Sequence, residues 1–372
     1  MKKYFTRSCC VLLFFLGMLS LKSCKITRFV VYNFADIKDY KIFPKREIET
    51  DSLQFRFPEA TSPKAPKEVK LSENDSTSFE NFLSKNKTVA FLIIHNDSIQ
   101  YEHYFHKYDA ASIVPSFSMA KSIVSILTGI AIDEGKIKSV EEPVTNYVPE
   151  LKGKGFDKEK IKNLLQMTSG IKFNESYVNP FGDAATYYYG RNLRKQLYKM
   201  KLEEDPGTEF KYISGATQLL GLVLKRALKD ETLSDYLEEK LWQPLGMEFD
   251  ASWSLDKKKN GIEKAFCCIN ARARDFAKIG RLYLHQGNWN GHQIVSESWV
   301  NTSTKVDTTE GAAWNYQYQW WLPTKEGDFM ADGLLGQYIY VNPDKNLVIV
   351  RLGKKEGDVN WPQLFVNLAQ RY

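Results

Sequence analysis

The hydroxyl of Ser118 and the amine of Lys121, three residues apart, form the most reactive pair that the sequence offers. This spacing on a helix puts both groups on one face, near contact distance. A helix start also stabilises negative charge beside Ser118 through its free N–H groups and its dipole. Burial lowers the pKa of a lysine, so a neutral Lys121 could accept the proton of Ser118 and turn the hydroxyl into a nucleophile. The alternative interpretation is a helix-capping serine next to a solvated lysine.

The tetrad that holds this pair opens a long apolar segment between Pro115 and Gly135. The segment leaves almost no polar face, which predicts a central, buried helix that ends at Gly135. A solvated lysine does not fit such a helix. The chain has three further Ser-x-x-Lys tetrads, none of them at the first turn of an apolar helix; they begin at Ser84, Ser169 and Ser254.

A second polar group follows a Pro-Gly turn at 206–207, where Tyr212 and Ser214 precede a helical segment at 216–228. A phenol in this place can relay protons between the serine, the lysine and a leaving group. Tyr212 could instead be an aromatic residue packed at a helix start, and Ser214 could be a helix cap.

The elements that must position these residues predict an α+β fold. Residues 88–94 and 98–105 read as a β-hairpin around an Asn-Asp turn, and three more strands are expected near the end of the chain. Sequential hairpins imply an antiparallel β-sheet, which we expect to be flanked by helices and to carry an inserted, mainly helical lobe. The predicted late strands are 329–331, 337–341 and 347–352, and the predicted helices are 160–167, 185–200, 216–228, 233–241, 273–285 and 361–372.

The charge balance and the cysteine spacing argue against nucleic acid and zinc as binding partners. Lys and Arg number 51 against 45 Asp and Glu, with both signs interspersed, so we expect no nucleic-acid surface. The five cysteines show no C-x-x-C spacing, and no zinc signature exists. The adjacent Cys267 and Cys268 are interpreted as two small buried residues without a disulfide, because a bridge between neighbours is strained.

The first 24 residues have the pattern of an export signal. Lys2, Lys3 and Arg7 precede an apolar run at 11–21, which is shorter than the ~20 residues needed to span a bilayer. The Leu-Lys-Ser-Cys sequence that ends at Cys24 resembles a bacterial lipobox. Lipid attachment at Cys24, an uncleaved membrane anchor and plain secretion remain open. Each places the protein outside the cytoplasm, in the periplasm or cell envelope, and the first two make the bacterial membrane a partner.

Taken together, these stretches resemble the serine β-lactamase-like superfamily. It includes penicillin-binding proteins, class C β-lactamases, esterases and 6-aminohexanoate-dimer hydrolases. The resemblance covers about residues 75–372, within a predicted domain at 71–372 that follows an extension and linker at 25–70. The Tyr-x-Ser form, a Cys-Cys-Ile-Asn-Ala stretch and the final strand pair are most similar to the 6-aminohexanoate-dimer-hydrolase-like branch. The stretches that carry the resemblance are 118–121, 164–170, 206–208, 212–214, 244–247 and 333–337.

The resemblance implies a β-lactamase/transpeptidase-like fold and a serine hydrolase that acts on a small-molecule ester or amide without a cofactor. Ser118 would attack a carbonyl and form an acyl-enzyme, Lys121 would be the base, and Tyr212 would protonate the leaving group. The backbone N–H groups of Ser118 and Gln337 would form the oxyanion hole.

Two departures from the family pattern bear on the substrate. Ser214 stands where many relatives have Asn, and the third box, 334–336, lacks its usual cationic or His residue. In relatives that process β-lactams or peptides, that residue attracts the substrate carboxylate. Its absence favours another ester or amide. The expected substrate contacts are Ser214, Gly336 and Tyr177.

Two alternatives stay open at this point. The chain could be a β-lactamase or a D-Ala-D-Ala carboxypeptidase-type enzyme that recognises penicillin. It could also be a non-catalytic binding or sensor module. Turnover of small esters and of a chromogenic cephalosporin distinguishes these alternatives.

Overall fold

The computed structural model describes residues 25–32, 34–72 and 75–372, so the predicted signal segment and Cys24 lie outside the described residues. In this part of the chain, no helix is long and apolar enough to cross a membrane. The strands are β1 (Lys45–Ile48), β2 (Glu68–Ser72), β3 (Asp75–Ser78), β4 (Thr88–His95), β5 (Ser98–Tyr104), β6 (Val114–Pro115), β7 (Ala251–Ser254), β8 (Ile269–Ala271), β9 (Asn288–Trp289), β10 (His292–Gln293), β11 (Tyr316–Gln317), β12 (Trp320–Trp321), β13 (Phe329–Gly333), β14 (Gln337–Asn342) and β15 (Leu347–Gly353).

The described α-helices fill most of the space between these strands. They are α1 (Lys25–Tyr32), α2 (Phe79–Lys85), α3 (Met119–Asp133), α4 (Ile161–Gln166), α5 (Asp183–Tyr189), α6 (Leu193–Leu197), α7 (Ser214–Ala227), α8 (Leu233–Leu237), α9 (Ala273–Leu284), α10 (Glu297–Thr304) and α11 (Trp361–Ala369). A π-helical turn, Glu238–Trp242, follows α8 directly.

The main sheet has seven antiparallel strands in the order β11-β12-β13-β14-β15-β4-β5. Strand β4 is apolar and buried along nearly its whole length, as expected for a strand covered on both faces. Asn96 and Asp97 turn the chain into β5 with φ values of 49° and 56°, which matches the right-handed twist of a tight hairpin. Strands from both ends of the chain therefore meet in one antiparallel sheet, and the predicted α+β class is confirmed.

Helix α3 is the buried helix that the apolar segment predicts. Its first 13 residues, from Met119 to Ala131, are buried, and Gly135 follows its end with a φ of 70°. It contacts both the sheet, at β13, and helix α7. The reactive pair is therefore held between the sheet and the helical lobe.

A four-stranded sheet in the order β1-β7-β8-β6 was not predicted. Its strands have two to four residues, which is too short for a visible alternation. Pro115 in β6 pairs with Asn270 in β8, and this pairing lays the stretch 266–268 next to the start of α3. Strand β1 lies at the edge of the same sheet, so this part of the predicted extension pairs with the rest of the protein.

The predicted helix at 185–200 is wrong in one respect, because the structure has two short helices, α5 and α6, in its place. The break is at Gly190. A Cβ atom there would lie 2.1 Å from the carbonyl oxygen of Thr186, so a residue with a side chain cannot take this close approach.

Gln319 ties together the three helices around the reactive pair. Its backbone carbonyl accepts a hydrogen bond from Ser122 in α3, and its side-chain oxygen accepts one from Thr217 in α7, both at 2.7 Å. Its amide nitrogen donates to the carbonyls of Leu164 and Leu165 in α4 at 2.9 Å. Buried polar networks of this kind hold their partners in one arrangement when every group is satisfied.

Candidate active site

Ser118 occupies the position just before α3, but its side chain makes no capping hydrogen bond. Its Oγ lies 2.8 Å from the Nζ of Lys121 instead. The preceding residue, Phe117, has a φ of 44°, a left-handed conformation that costs a residue with a Cβ about 1–2 kcal/mol. The chain therefore makes a sharp turn that presents a partly exposed serine hydroxyl, and the helix-capping alternative is wrong.

Lys121 is only 1% exposed, so it is not the solvated lysine of the alternative interpretation. Its Nζ also contacts the carbonyl oxygen of Phe266 at 3.0 Å and the Oγ of Ser214 at 3.4 Å. Burial lowers its pKa to about 8, while the negative charges of Glu175 and Asp332 act in the opposite direction. About a tenth of Lys121 is therefore neutral at pH 7, far more than for a free lysine, and this neutral amine can accept a proton.

Phe266 is followed in the chain by two adjacent cysteines. Cys267 and Cys268 form a disulfide, so the prediction of two unlinked cysteines is wrong, although both are buried as expected. The backbone turns at Cys268, where φ is 74°, and no local signal in the sequence marks this turn. The turn comes two residues after Phe266, whose carbonyl holds Lys121, and Cys267 lines the cavity beside Ser118.

Tyr212 lies beside the reactive pair of Ser118 and Lys121. The Nζ of Lys121 is 5.0 Å from the centre of its ring, and the Ser118 hydroxyl is near enough to the phenol to lower its pKa. Burial raises the pKa of Tyr212 well above the usual value, and the nearby Ser118 hydroxyl offsets only part of this rise, so the phenol stays protonated. Tyr316 and Trp321 pack against the ring at centroid distances of 5.9 and 5.5 Å and fix its position.

Ser214 is the first residue of α7 and does not cap it. Its hydroxyl donates to Oε1 of Glu175 at 2.6 Å, and its backbone N–H donates to Oε2 at 2.7 Å. The Tyr177 hydroxyl donates to the same carboxylate at 2.7 Å. Ser214 therefore links Lys121 to an acidic residue, and both Ser214 and Tyr177 line the cavity.

The structure does not bring Gly336 and Gln337 to the cavity. Gln337 is fully buried, and its side-chain amide donates to the carbonyls of Leu334 and Gly353. The carbonyl of Gly336 accepts a hydrogen bond from Arg351 on the neighbouring strand, at 2.6 Å. The hairpin contributes Leu334 and its neighbour at 335 to the cavity wall instead.

The end of β13 is the part of this hairpin that lies against the start of α3. A Cβ atom on Gly333 would lie 2.4 Å from the carbonyl oxygen of Ser116 and 3.3 Å from the backbone nitrogen of Met119. Only glycine permits this approach. In the described part of the chain, the backbone N–H groups of Ser118 and Leu334 have no hydrogen-bond partner, so both can donate to a bound molecule.

A cavity of about 190 Å³ opens beside Ser118. Aromatic and aliphatic side chains form most of its wall, including Phe117, Phe266 and Leu335. Among the described residues that line it, none has a charged side chain. In residues 25–32, 34–72 and 75–372, no group of His, Cys, Asp or Glu could hold a metal ion.

Three residues of the site had no signal in the sequence. Glu175 lies in an irregular loop, 39 positions before its partner Ser214. Asp332 is on β13, and burial raises the pKa of its carboxyl to about 8. Phe266 contributes only its carbonyl group, which any residue could supply.

Comparisons with known proteins agree with this geometry. The family model described as Beta-lactamase matches residues 79–369. The 6-aminohexanoate-dimer hydrolase of Paenarthrobacter ureafaciens is 30% identical over 307 residues, which cover 76% of this chain and 75% of that protein.

Solved structures extend the likeness over nearly the whole chain. A candidate 6-aminohexanoate-dimer hydrolase from Bacillus anthracis superposes with a TM-score of 0.81 at 25% identity, covering 94% of this chain and 96% of that chain. A class C beta-lactamase in complex with cefoxitin shares the fold, with a TM-score of 0.59 at 18% identity over 78% of this chain and 95% of that chain.

Proposed function

Because the chain belongs to the beta-lactamase family and is a serine hydrolase, we propose that it cleaves a carboxylic ester or amide through an acyl-enzyme on Ser118. One observation carries the proposal: the buried amine of Lys121, with a pKa lowered to about 8, lies 2.8 Å from the hydroxyl of Ser118. A nucleophile in contact with a base of suitable pKa is what acyl transfer requires.

In the first step, the Ser118 Oγ attacks the substrate carbonyl carbon while its proton moves to the neutral amine of Lys121. The carbonyl oxygen becomes an oxyanion in a tetrahedral intermediate. Collapse of this intermediate breaks the bond to the leaving group. The leaving oxygen or nitrogen takes a proton from Tyr212, and Lys121 returns a proton to the phenol.

Deacylation reverses the roles. A water molecule attacks the acyl-Ser118 carbonyl and gives up a proton through Tyr212 to Lys121. The second tetrahedral intermediate then releases the carboxylic acid, and the Ser118 Oγ recovers its proton. These proton transfers require that the Tyr212 phenol be protonated in the resting enzyme. The raised pKa of Tyr212 supports this requirement.

We assign the oxyanion hole to the backbone N–H groups of Ser118 and Leu334. The free N–H at each position and the close approach of Gly333 to the start of α3 support the assignment. In this assignment Leu334 takes the place of Gln337, which is fully buried at the start of β14. An oxyanion-hole donor is typically worth about 3–4 kcal/mol of barrier, so this hole is a major part of the proposed catalysis.

The test measures turnover of p-nitrophenyl esters, an acyl p-nitroanilide and nitrocefin by wild-type protein, Ser118→Ala and Ser125→Ala. Ser125 lies on the same helix, is buried, and its hydroxyl has no hydrogen-bond partner among the described residues, so it is the matched control. We expect ester and anilide turnover in wild type and Ser125→Ala, none in Ser118→Ala, and little with nitrocefin. Preferred turnover of nitrocefin would support the β-lactamase alternative. Acylation without turnover would support the sensor alternative.

We also propose that the protein acts outside the cytoplasm, supported by the basic residues and apolar run in the first 24 residues. The proposed anchor is a lipid on Cys24. The wild-type protein should then partition into detergent and Cys24→Ala should not. A mature N-terminus elsewhere, with Cys24 unmodified, would contradict the anchor.

A further inference from the structure

We propose that the cavity beside Ser118 selects an uncharged, apolar acyl group, and that the segment before residue 79 builds part of its wall. This inference rests on the proposed function and names its substrate class. It concerns specificity, because the nucleophile and base are the same for any ester or amide.

The wall of the cavity is apolar on every described side. The polar side chains on it carry hydroxyl groups, and three of these are already engaged: Ser214 and Tyr177 donate to Glu175, and Tyr188 donates to Asp39. The amine of Lys121 lies behind Ser118 and is 1% exposed. A carboxylate or an ammonium group in this space would lose its hydration without gaining an ionic partner, which is strongly unfavourable.

The cavity lies on the acyl side of the reacting carbonyl. Tyr212, the proposed donor to the leaving group, is not among the described residues that line it, whereas Ser118 is. The leaving group must be near the Tyr212 hydroxyl. The acyl chain, which is attached to the carbonyl carbon through a carbon–carbon bond, therefore enters the cavity.

The size of the cavity limits the acyl group. An apolar cavity of about 150 Å³ can hold a benzene ring, and this one has about 190 Å³. It fits an acyl chain of medium length or a single ring. Two lining residues, Phe34 and Tyr177, are 48% and 45% exposed, so the cavity opens to solvent beside them.

Part of the wall lies outside the family-matched region, 79–369. Phe29 in α1 and Phe34 line the cavity. The ring of Phe29 packs edge-on against Tyr189 in α5 with centroids 5.6 Å apart, and the Arg28 guanidinium donates to the carbonyl of Tyr189. A little further on, the Tyr188 hydroxyl donates to Asp39 at 2.8 Å. These contacts fix the N-terminal segment over the cavity.

Binding to Ser118→Ala tests the selection without chemistry. The probes are N-phenylhexanamide, its ω-carboxylate (the monoanilide of adipic acid) and its ω-ammonium form (the anilide of 6-aminohexanoic acid). All three carry six-carbon acyl groups. Calorimetry should show that the neutral probe binds at least tenfold more tightly than either charged probe. Equal or tighter binding of a charged probe would overturn the inference.

Phe34→Lys tests the wall by adding a cation at the open end of the cavity. Because Phe34 is half exposed, the change should leave the fold intact. In the Ser118→Ala background, the neutral probe is expected to bind more tightly than the carboxylate, and Phe34→Lys should reduce this ratio of affinities at least threefold. Phe181→Lys is the matched control, because Phe181 is 72% exposed and does not line the cavity. Identical effects of the two lysine substitutions would contradict the assigned wall.

The two proposals can fail separately. If wild type turns over none of the esters or anilides but Ser118→Ala binds the neutral probe selectively, the hydrolase proposal fails and the cavity preference stands. If turnover depends on Ser118 but charged acyl groups bind and react as well as neutral ones, the cavity inference fails alone.

Discussion

The carboxylate of Glu175 receives two hydrogen bonds from Ser214, one from the backbone N–H at 2.7 Å and one from the hydroxyl at 2.6 Å. The same hydroxyl oxygen lies 3.4 Å from the Nζ of Lys121. A single small side chain thus connects the proposed base to a negative charge. The charge of Glu175 stabilises the protonated amine and so works against burial, which lowers the pKa of Lys121.

Replacing Glu175 with Gln should therefore shift the activity profile to lower pH. Glutamine keeps an oxygen that can accept the Ser214 N–H bond but removes the charge that raises the pKa of Lys121. The pH dependence of kcat/KM for one ester measures the shift. Glu209→Gln, at an exposed position, is the control and should leave the profile in place. An unchanged or upward-shifted profile for Glu175→Gln would show that Glu175 does not influence the base.

The buried amine should also make stability depend on pH. The pKa of Lys121 is about 8 in the folded state against 10.5 for a free lysine, so between these values only the unfolded state holds the proton. Stability should then rise with pH, by up to about 3 kcal/mol across the window from 8 to 10.5.

The comparison with Lys121→Met isolates this contribution. Urea denaturation of both proteins between pH 8 and 10.5 should show wild type gaining stability relative to the variant. A constant difference between the two would mean that the amine is not desolvated.

Much of the fold and half of the site follow from local sequence signals. The apolar helix α3, the β4–β5 hairpin and the late strands have strong periodicity, and all three are confirmed. The placement of Ser118 and Lys121 needs only a helix and its first turn. The expected superfamily and its 6-aminohexanoate-dimer-hydrolase branch are confirmed by the family model and the relatives.

The rest depends on contacts between distant segments. Glu175 reaches Ser214 from an irregular loop, and no periodicity marks such a loop. The position of Gln337 depends on how the preceding hairpin turns, and Leu335, with a φ of 66°, directs 334–335 rather than 336–337 towards the cavity. The second sheet has strands too short to recognise, so the position of Phe266 beside Lys121 could not be predicted.

Tyr212→Phe should separate substrates by their leaving groups. An amine cannot leave without a proton, whereas p-nitrophenolate can. Anilide turnover should fall by about 100-fold or more, and ester turnover by less than tenfold.

Tyr316→Phe is the control for packing. Tyr316 contacts the Tyr212 ring, and its own hydroxyl has no hydrogen-bond partner among the described residues. It should change neither rate. An unchanged ratio of anilide to ester activity in Tyr212→Phe would leave Tyr212 as a packing residue.

The disulfide between Cys267 and Cys268 should contribute little to the free energy of unfolding. A bond between neighbours closes a very short loop, so it removes little freedom from the unfolded chain, worth about 1 kcal/mol. Mass spectrometry after denaturation and alkylation should find both cysteines protected until a reductant is added. Immediate alkylation of both would show that the bond is absent. A loss of several kcal/mol on reduction would give it a larger structural role.

The central claim is that Ser118 is the acylated residue. Wild-type protein, Ser118→Ala and Ser125→Ala are each incubated with an alkyl fluorophosphonate, and the modified peptide is identified by mass spectrometry. The proposal predicts one adduct per chain on Ser118 in wild type and Ser125→Ala, with labelling that rises as Lys121 loses its proton near pH 8, and no adduct in Ser118→Ala. Labelling of Ser118→Ala at another serine, or a wild-type adduct outside the peptide that contains Ser118, would contradict it.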